Sequence, residues 1–516
     1  MESKVLQQNA RSVVLELLLE DRYETRPYEL WVNGKFLRND RKMVVIIDHL
    51  EPDTQYRILF QWDDKETVEA EVSTSREYVT LNVRKFGARG DGICDDTGAI
   101  QAAVMCCPPN GRVFVPAGTY RIRNLFLKNG LTLELGKGAL LQAFQERNEY
   151  PVLPGIIQSN ENCEDYNLGT WEGNPLDAMA SVITGIAVEN VTICGEGTID
   201  GGGDFEKWWI SMVNRIPPYR PRVIFLNRCR NILIQGITIR NSPAWNIHPY
   251  FSENIRIYGI TLESPDKSHN TDGIDPESCS DVEIAGVHFS VGDDCIAIKS
   301  GKIYMGKKYR QPSQRISIRH CLMERGHGAV TIGSEIAGGV REVRVSQCVF
   351  KDTDRGLRIK TRRGRGKDSI VDEIDFSSIT MDGVKSPFVV NCFYYCDPDG
   401  KSDYVACQEA LPADERTPEI RSLSFSEITC KNAHHTGICI YGLPEKKIQS
   451  VVMKDIAITY HPQAEEGIAA MMRECAPTRK QGIFIRNVKR LVMQNVHATG
   501  AEKEFECESV LEINRA

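Results

Sequence analysis

One short unit recurs down most of this chain: a polar residue, often asparagine, then two apolar residues flanking a variable one, then a second such triplet two residues on. It stands at Asn190-Val191-Thr192-Ile193, Asn231-Ile232-Leu233-Ile234, Asn254-Ile255-Arg256-Ile257 and Asp281-Val282-Glu283-Ile284. It continues at Arg315-Ile316-Ser317-Ile318, Glu342-Val343-Arg344-Val345, Glu373-Ile374-Asp375-Phe376 and Ser422-Leu423-Ser424-Phe425, with echoes at Val451-Val452-Met453 and Leu491-Val492-Met493. Successive units start roughly 23 to 34 residues apart, and further apart where loops intrude, a spacing typical of repeat proteins. Alternation with period two marks strands with one buried face. Helical crossovers need about 10–12 residues or more and have little room between the units. Stacked coils of parallel strands, an all-β parallel β-helix, satisfy both conditions. A β-propeller would want about four strands per 40–50 residues with a blade signature, and none is present. Cys321 and Cys348 hold one offset within successive units, as do Cys229 and Cys279. Such residues are expected in inward ladders. Asp96 to Val104 is expected to be a helix capping the first coil, with Asp96 or Thr97 as its N-cap.

The first 78 residues differ. Period-two runs at Val13–Leu17, Glu29–Val32, Met43–Ile47 and Tyr56–Phe60, with Asn33-Gly34 between two of them, predict a small β-sandwich over 1–78, followed by the coil domain over 79–516. Leu50-Glu51-Pro52-Asp53-Thr54-Gln55-Tyr56 resembles the tyrosine corner of fibronectin type III modules, where a tyrosine hydroxyl meets a nearby backbone group.

Net charge is −7, from 63 basic and 70 acidic residues, which disfavours a nucleic-acid partner. No segment is long and apolar enough for a bilayer span, so no membrane association is expected. The start Met1-Glu2-Ser3-Lys4 lacks the basic-then-apolar pattern of an export signal, and the cysteine count, 17, is odd. The expectation is a reducing cytoplasm. Paired zinc-type spacings are absent, so neither metal nor other cofactor is expected.

Four segments interrupt the repeat with charge and glycine: Asn270-Thr271-Asp272-Gly273, Gly292-Asp293-Asp294-Cys295, Gly326-His327-Gly328 and Arg358-Ile359-Lys360. Each alone has an ordinary reading as a solvated turn, a loop or an exposed strand face. Together, on four successive coils, they place Asp272, Asp293 and Asp294 about one strand separation, ~4.8 Å, apart. Three carboxylates so close cannot all ionise cheaply. One protonated acid beside ionised partners is what glycoside hydrolysis requires.

These four motifs, with Phe86-Gly87-Ala88, Gly197-Thr198-Ile199-Asp200-Gly201 and Asn241-Ser242-Pro243 followed by Trp245, resemble the polygalacturonase family, glycoside hydrolase family 28, over roughly residues 80–500. The resemblance implies a right-handed, pectin lyase-like β-helix cleaving α-1,4-galacturonosidic bonds with inversion, in pectin degradation. It implies Asp293 as general acid and Asp272 and Asp294 as holders of the attacking water. His327 would tune the acid or support the neighbouring subsite. Asn270, Arg358, Lys360 and Tyr394 would bind the galacturonate chain, the natural polyanionic partner for a guanidinium and an ammonium. Inversion leads one to expect acid and base carboxyls about 6.5–9.5 Å apart. Arg355 to Lys367, with Arg362, Arg363 and Arg365, is expected to be an electrostatic funnel for that chain. His248 is read as a buried structural histidine, and Asp275 is left outside the site.

Insertions at about 145–180, 201–222 and 395–418 would turn an open groove into a pocket, and the N-terminal module resembles the arrangement of bacterial exo-acting members. Exo action is therefore expected over endo. A calcium-dependent pectate lyase, using the three carboxylates as ligands, and a non-catalytic carbohydrate-binding β-helix are the remaining alternatives.

Overall fold

The computed structural model describes residues 2–157, 167–210 and 216–515. Parts of two predicted insertions, 158–166 and 211–215, lie outside the described residues. The N-terminal strands form two antiparallel sheets. One comprises Ser3–Gln8, Val13–Leu17 and Val44–Ile47; the other comprises Glu24–Val32, Lys35–Lys42, Gln55–Trp62 and Thr67–Ser73. Between them lie Leu15, Leu30, Ile58, Phe60 and Trp62, a core of their own. Asn33 and Gly34 both take positive φ and close the hairpin that pairs Val32 with Lys35, as a two-residue turn requires. At the expected corner, the Glu51 N–H donates to the Tyr56 hydroxyl at 2.7 Å.

From Thr80 onward the chain winds as a parallel β-helix. The first apolar residue of every predicted unit falls on one continuous ladder: Val191, Ile232, Ile255, Val282, Ile316, Val343, Ile374, Leu423, Val451 and Leu491 pair in turn with the next. All are buried in one core that runs the length of the stack. The polar residue before each has a physical reason. Asn190, Asn231, Asn254, Asp281, Arg315, Glu342 and Glu373 all bend the chain at positive φ. Asparagine tolerates that region best among the residues with side chains. It also stacks: Asn231 donates to Asn190 at 2.9 Å and Asn254 to Asn231 at 2.7 Å. Cys229, Cys279, Cys321 and Cys348 are buried in the same core, as expected.

The capping helix is Thr97–Cys106, with Ile100, Ala103 and Val104 turned into the core. Asp96 occupies the N-cap position but does not cap with its side chain. Its carboxylate instead accepts the N–H groups of Arg89 at 2.6 Å and Gly90 at 3.0 Å, pinning the preceding turn.

The sandwich docks on the outside of the coils. Val14 and Val44 pack on Leu233, Tyr258 and Ala285. Beside them Arg319 grips Glu16 at 2.5 and 2.9 Å and Glu283 at 2.7 Å, while the His320 Nδ1–H donates to the Arg22 carbonyl at 2.5 Å. Burial pushes the Glu16 carboxyl up, but His320 and Arg319 outweigh it and hold the group at about 2, against an ordinary 4.5. A lowered folded-state pKa stabilises above the unfolded value and is lost as pH falls through the folded one. Glu16→Gln is therefore expected to cost about 3 kcal/mol at neutral pH, at 1.36 kcal/mol per unit. The difference from wild type should fade between pH ~4.5 and ~2 in thermal unfolding followed at several pH values.

Candidate active site

The four motifs meet on a second face of the coils, where Ile274, Ile296, Val330 and Leu357 pair in register with inward side chains. Asp272 and Asp294 each lie two residues before a paired isoleucine, on adjacent coils, and the Gly273 N–H donates to the Asp294 carbonyl at 3.0 Å. One residue beyond the inward row stands Arg358, and three beyond it stand Glu277, Lys299 and Lys360, all projecting to the same side. The register thus gathers acids and bases from four coils onto one patch.

Local residues explain how the motifs are held. The Thr271 hydroxyl accepts the Gly292 N–H at 3.2 Å, tying the coil of Asp272 to that of Asp293. Asn270 accepts from Arg220 Nη2 at 2.7 Å. A Cβ on Gly273 would meet the Cys295 carbonyl at 2.4 Å, so that position requires glycine, and one on Gly328 would push against Asp294 Oδ1 at 2.6 Å. The His327 N–H donates to the Asp293 carbonyl at 3.0 Å.

Asp272, Asp293 and Asp294 each offer an oxygen such that all three lie within 4.8 Å of one another. The nearest oxygens of Asp272 and Asp294 thus stand at about the separation of adjacent in-register coils. Asp294 is buried, with Lys360 Nζ at 2.9 Å and Arg358 Nη1 at 3.3 Å. Burial raises its pKa, but Lys360, Arg358 and His327 outweigh that and hold it well below the carboxylate range. Asp272 goes the other way: burial, then the charges of Asp275 and Asp293, drive it well above that range. Asp275 is pushed up to about 7, by burial against the pull of Lys299. Their surroundings thus push the two water-holding candidates in opposite directions, and Asp293, only partly buried, is the most accessible of the three. His327 Nδ1 lies 3.5 Å from Asp354 Oδ2, and burial followed by Arg358 lowers its pKa.

A cavity of about 220 Å³ opens over these groups. Asn270, His327, Arg358, Lys360 and Tyr394 all line it with the three aspartates, so the eight residues expected to catalyse or bind substrate converge there. Tyr394 lies beneath the two cations, its ring centre 5.9 Å from the Arg358 guanidinium carbon and 5.5 Å from Lys360 Nζ. The insertions contribute walls: Glu172 from the first, Cys396 and Asp397 from the third, and Met471 from a later segment. Trp171 and Tyr219, from the first two, stack in parallel on each other, and Trp171 stacks on Trp245 at 5.9 Å. Among the described residues the three aspartates are the group of acids that most nearly resembles a cation site. Arg358, Lys360 and Lys299 already crowd it with positive charge, so the donor set suits water better than a divalent ion.

Sequence reasoning missed Lys299, Glu335 and Trp245 as site residues and left out Asp275. Lys299 Nζ is 3.7 Å from Asp272, 3.3 Å from Asp275 and 3.7 Å from Glu335, and 4.4 Å from the centre of the Trp245 ring. A signal existed: Lys299 follows Ile296 by the same three residues that separate Lys360 from Leu357. His248 is fully buried and bonded to Glu277 at 2.9 Å, a structural role as expected.

The expected funnel is not there. Arg362, Arg363 and Arg365 are buried. Arg362 pairs with Asp397 and Asp399 at 2.9 Å, Arg363 grips Glu445 at 2.6 and 2.9 Å, and Arg365 donates to the Ser334 hydroxyl at 3.0 Å. Arg363 also donates to the carbonyls of Tyr404 and Cys407. These guanidinia bolt the third insertion to the coils, and the acids of Arg362 and Arg363 come from 35 to 82 residues further along the sequence. Only Lys367 remains exposed.

Carboxylates and cations converging in a pocket on a parallel β-helix define a carbohydrate-active enzyme of the β-helical class. The Glycosyl hydrolases family 28 profile matches residues 161–476, and one described as Rhamnogalacturonase A/epimerase, pectate lyase-like, matches residues 80–149. A Vitis vinifera protein named "Probable polygalacturonase" is 32% identical over 74% of this chain and 74% of its own length. The Exo-poly-alpha-D-galacturonosidase of Dickeya chrysanthemi is 26% identical over 75% of this chain and 69% of its own. The family 28 exopolygalacturonase structure from Yersinia enterocolitica superposes with a TM-score of 0.72 at 20% identity, covering 99% of this chain and 97% of that one. The chain belongs to glycosyl hydrolases family 28.

Removing one partner of a buried pair strands the other, at about 3–5 kcal/mol. Arg363→Met, which leaves Glu445 buried and unpaired, is expected to lose that much in denaturant unfolding. Lys367→Met should stay within about 0.5 kcal/mol of wild type.

Proposed function

We propose that this enzyme hydrolyses α-1,4-galacturonosidic bonds of polygalacturonate and oligogalacturonides, in pectin degradation, from a chain end and with inversion. The observation that carries this reading is the aspartate trio facing Arg358 and Lys360 across one sugar-sized cavity. A galacturonate residue brings a carboxylate, which a guanidinium and an ammonium can bind. Asp293, the accessible carboxyl, protonates the glycosidic oxygen as its bond to the anomeric carbon breaks. A water held between Asp272 and Asp294 attacks that carbon from the opposite side and gives up its proton to Asp272 in its ionised form. Asn270 and Tyr394 position the sugar, and His327 sits behind the acid. Cations offset the cost of three close carboxylates unevenly: Arg358 and Lys360 serve Asp294, and a shared Lys299 serves Asp272.

Exo action follows from enclosure. A stack of coils offers a groove open at both ends; here three inserted segments wall it to about 220 Å³, room for about one sugar ring. The name of the Dickeya relative supports the same mode. Substrate would then be short oligomers, consistent with a cytoplasmic setting. That setting is itself part of the proposal, supported by buried cysteines such as Cys321 and Cys348 that remain thiols on adjacent coils. Cell fractionation of the source organism tests it.

Time-resolved sizing on polygalacturonate should show mono- or digalacturonate from the first minutes, whereas a ladder of oligomers would mean endo cleavage. Proton NMR of the fresh product should show the β-anomer; the α-anomer first would mean retention, which carboxyls about 5–5.5 Å apart can also support. Asp293→Asn should lower kcat by about 10²–10⁴-fold while oligogalacturonide binding persists. An activated aryl galacturonide, whose leaving group needs no proton, should recover much of that loss.

A further inference from the structure

The two carboxyls that flank the water are not equally supplied with counter-charge. Asp294 has two cations within 3.3 Å. Asp272 has one within ion-pair range among the described residues, Lys299 Nζ at 3.7 Å, and its Oδ1 has no hydrogen-bond partner. That ammonium is shared. Asp275 at 3.3 Å and Glu335 at 3.7 Å compete for it, and both Asp275 oxygens lack hydrogen-bond partners. Lys299 is itself buried, placed by the pairing of its strand with Glu277 on the preceding coil and roofed by the Trp245 ring. A lysine so enclosed has few rotamers open to it, so its position is set by the coil register.

We propose that Lys299 is a positioning residue for hydrolysis: wedged between Asp272, Asp275 and Glu335 beneath Trp245, it orients the Asp272 carboxyl and supplies the charge that lets it ionise and take the proton of the attacking water. Glu335 acts as the counterweight, drawing the ammonium away from Asp272. This rests on the galacturonosidase reading above.

The groups facing Asp272 are Asp275, Asp293, Asp294, Lys299 and Arg220. Those facing Lys299 are Asp272, Asp275, Asp294, Glu335, Glu277, Glu172 and His248, while Glu335 also faces Lys302, Arg365, Lys360 and Glu172, and Asp275 also faces Arg222. Burial and the neighbouring carboxylates favour neutral Asp272. A cation beside a carboxyl favours its ionised form, so removing the cation raises the pH at which the carboxyl ionises. Removing a neighbouring carboxylate lowers it. The two substitutions should therefore move the acidic limb of the pH–rate profile in opposite directions.

The test measures kcat and KM against pH on trigalacturonate for wild type, Lys299→Met, Lys299→Arg and Glu335→Gln, with melting temperatures alongside. In Lys299→Met the acidic limb of kcat/KM should rise by about one pH unit or more, with kcat down at least about tenfold below that limb and KM changed far less. Lys299→Arg should return the limb most of the way. Glu335→Gln should displace it downward, and it carries the test if Lys299→Met does not fold. Limbs that stay in place in both substitutions while melting temperatures fall would overturn the proposal and leave Lys299 a structural ion. A rise in KM alone would overturn it too, by showing that the ammonium holds substrate directly. If wild type itself fails to cleave galacturonides, the underlying reading falls, and the Lys299 proposal with it.

Discussion

Parallel strands stacked in register are the constraint on which this molecule depends. Each coil advances by one strand separation, about 4.8 Å, and side chains alternate between core and surface. The ladder from Val191 to Leu491 and the row of Ile274, Ile296, Val330 and Leu357 fix that register, because a one-residue slip would turn every apolar side chain outward. The same rigidity brings Asp272 beside Asp294 and sets Lys299 and Lys360 in one outward row. The hydrophobic ladder behind the acids sets the spacing of their coils, and turn contacts such as that of Thr271 with Gly292 do the final placing.

Close packing of charge has a cost that the structure distributes. A carboxylate taken from water needs a cation or a proton. Asp294 has its cations, Arg362 and Arg363 have their acids, and Glu16 has Arg319. Asp272, Asp275 and Glu277 are the exceptions, with more negative groups than Lys299 can neutralise, and burial drives all three upward. Protons left in such a cluster belong to the set rather than to one residue. Those structural pairs are matched one against another, while the site keeps an unsatisfied balance, which is what proton transfer requires.

What the sequence showed follows from the same physics. Apolar alternation at Asn190-Val191-Thr192-Ile193 and its successors was legible because one period-two pattern repeats against one core. The aspartates and Gly326-His327-Gly328 were legible because glycine and charge break that pattern. Lys299 was not, because a lysine on a strand's outer face looks like any solvated lysine until an insertion covers it. Arg362, Arg363 and Arg365 were misread for a related reason. Their partners Asp397, Asp399 and Glu445 lie on other segments, and a run of cations carries no mark of acids supplied from elsewhere. Asp96 was placed correctly at the N-cap, but its carboxylate served a turn that sequence spacing did not reveal.

The division of labour between coils and insertions bears on how such enzymes diverge. The coils can supply a row of charges and a groove, but a helix of identical rungs has no end wall. Closure must come from chain inserted between rungs, here Trp171 and Glu172 on one side and Cys396, Asp397 and Met471 on the other. The insertions are bolted down by contacts at the rim of the cavity, away from the three aspartates: Trp171 on Trp245, Arg220 on Asn270, and Arg362 on Asp397. Bond-breaking chemistry is therefore fixed by the ladder, and the choice between a chain end and a chain interior is fixed by the anchors of the insertions. A change in an anchor can alter where a polymer is cut while the carboxylates stay where the register put them.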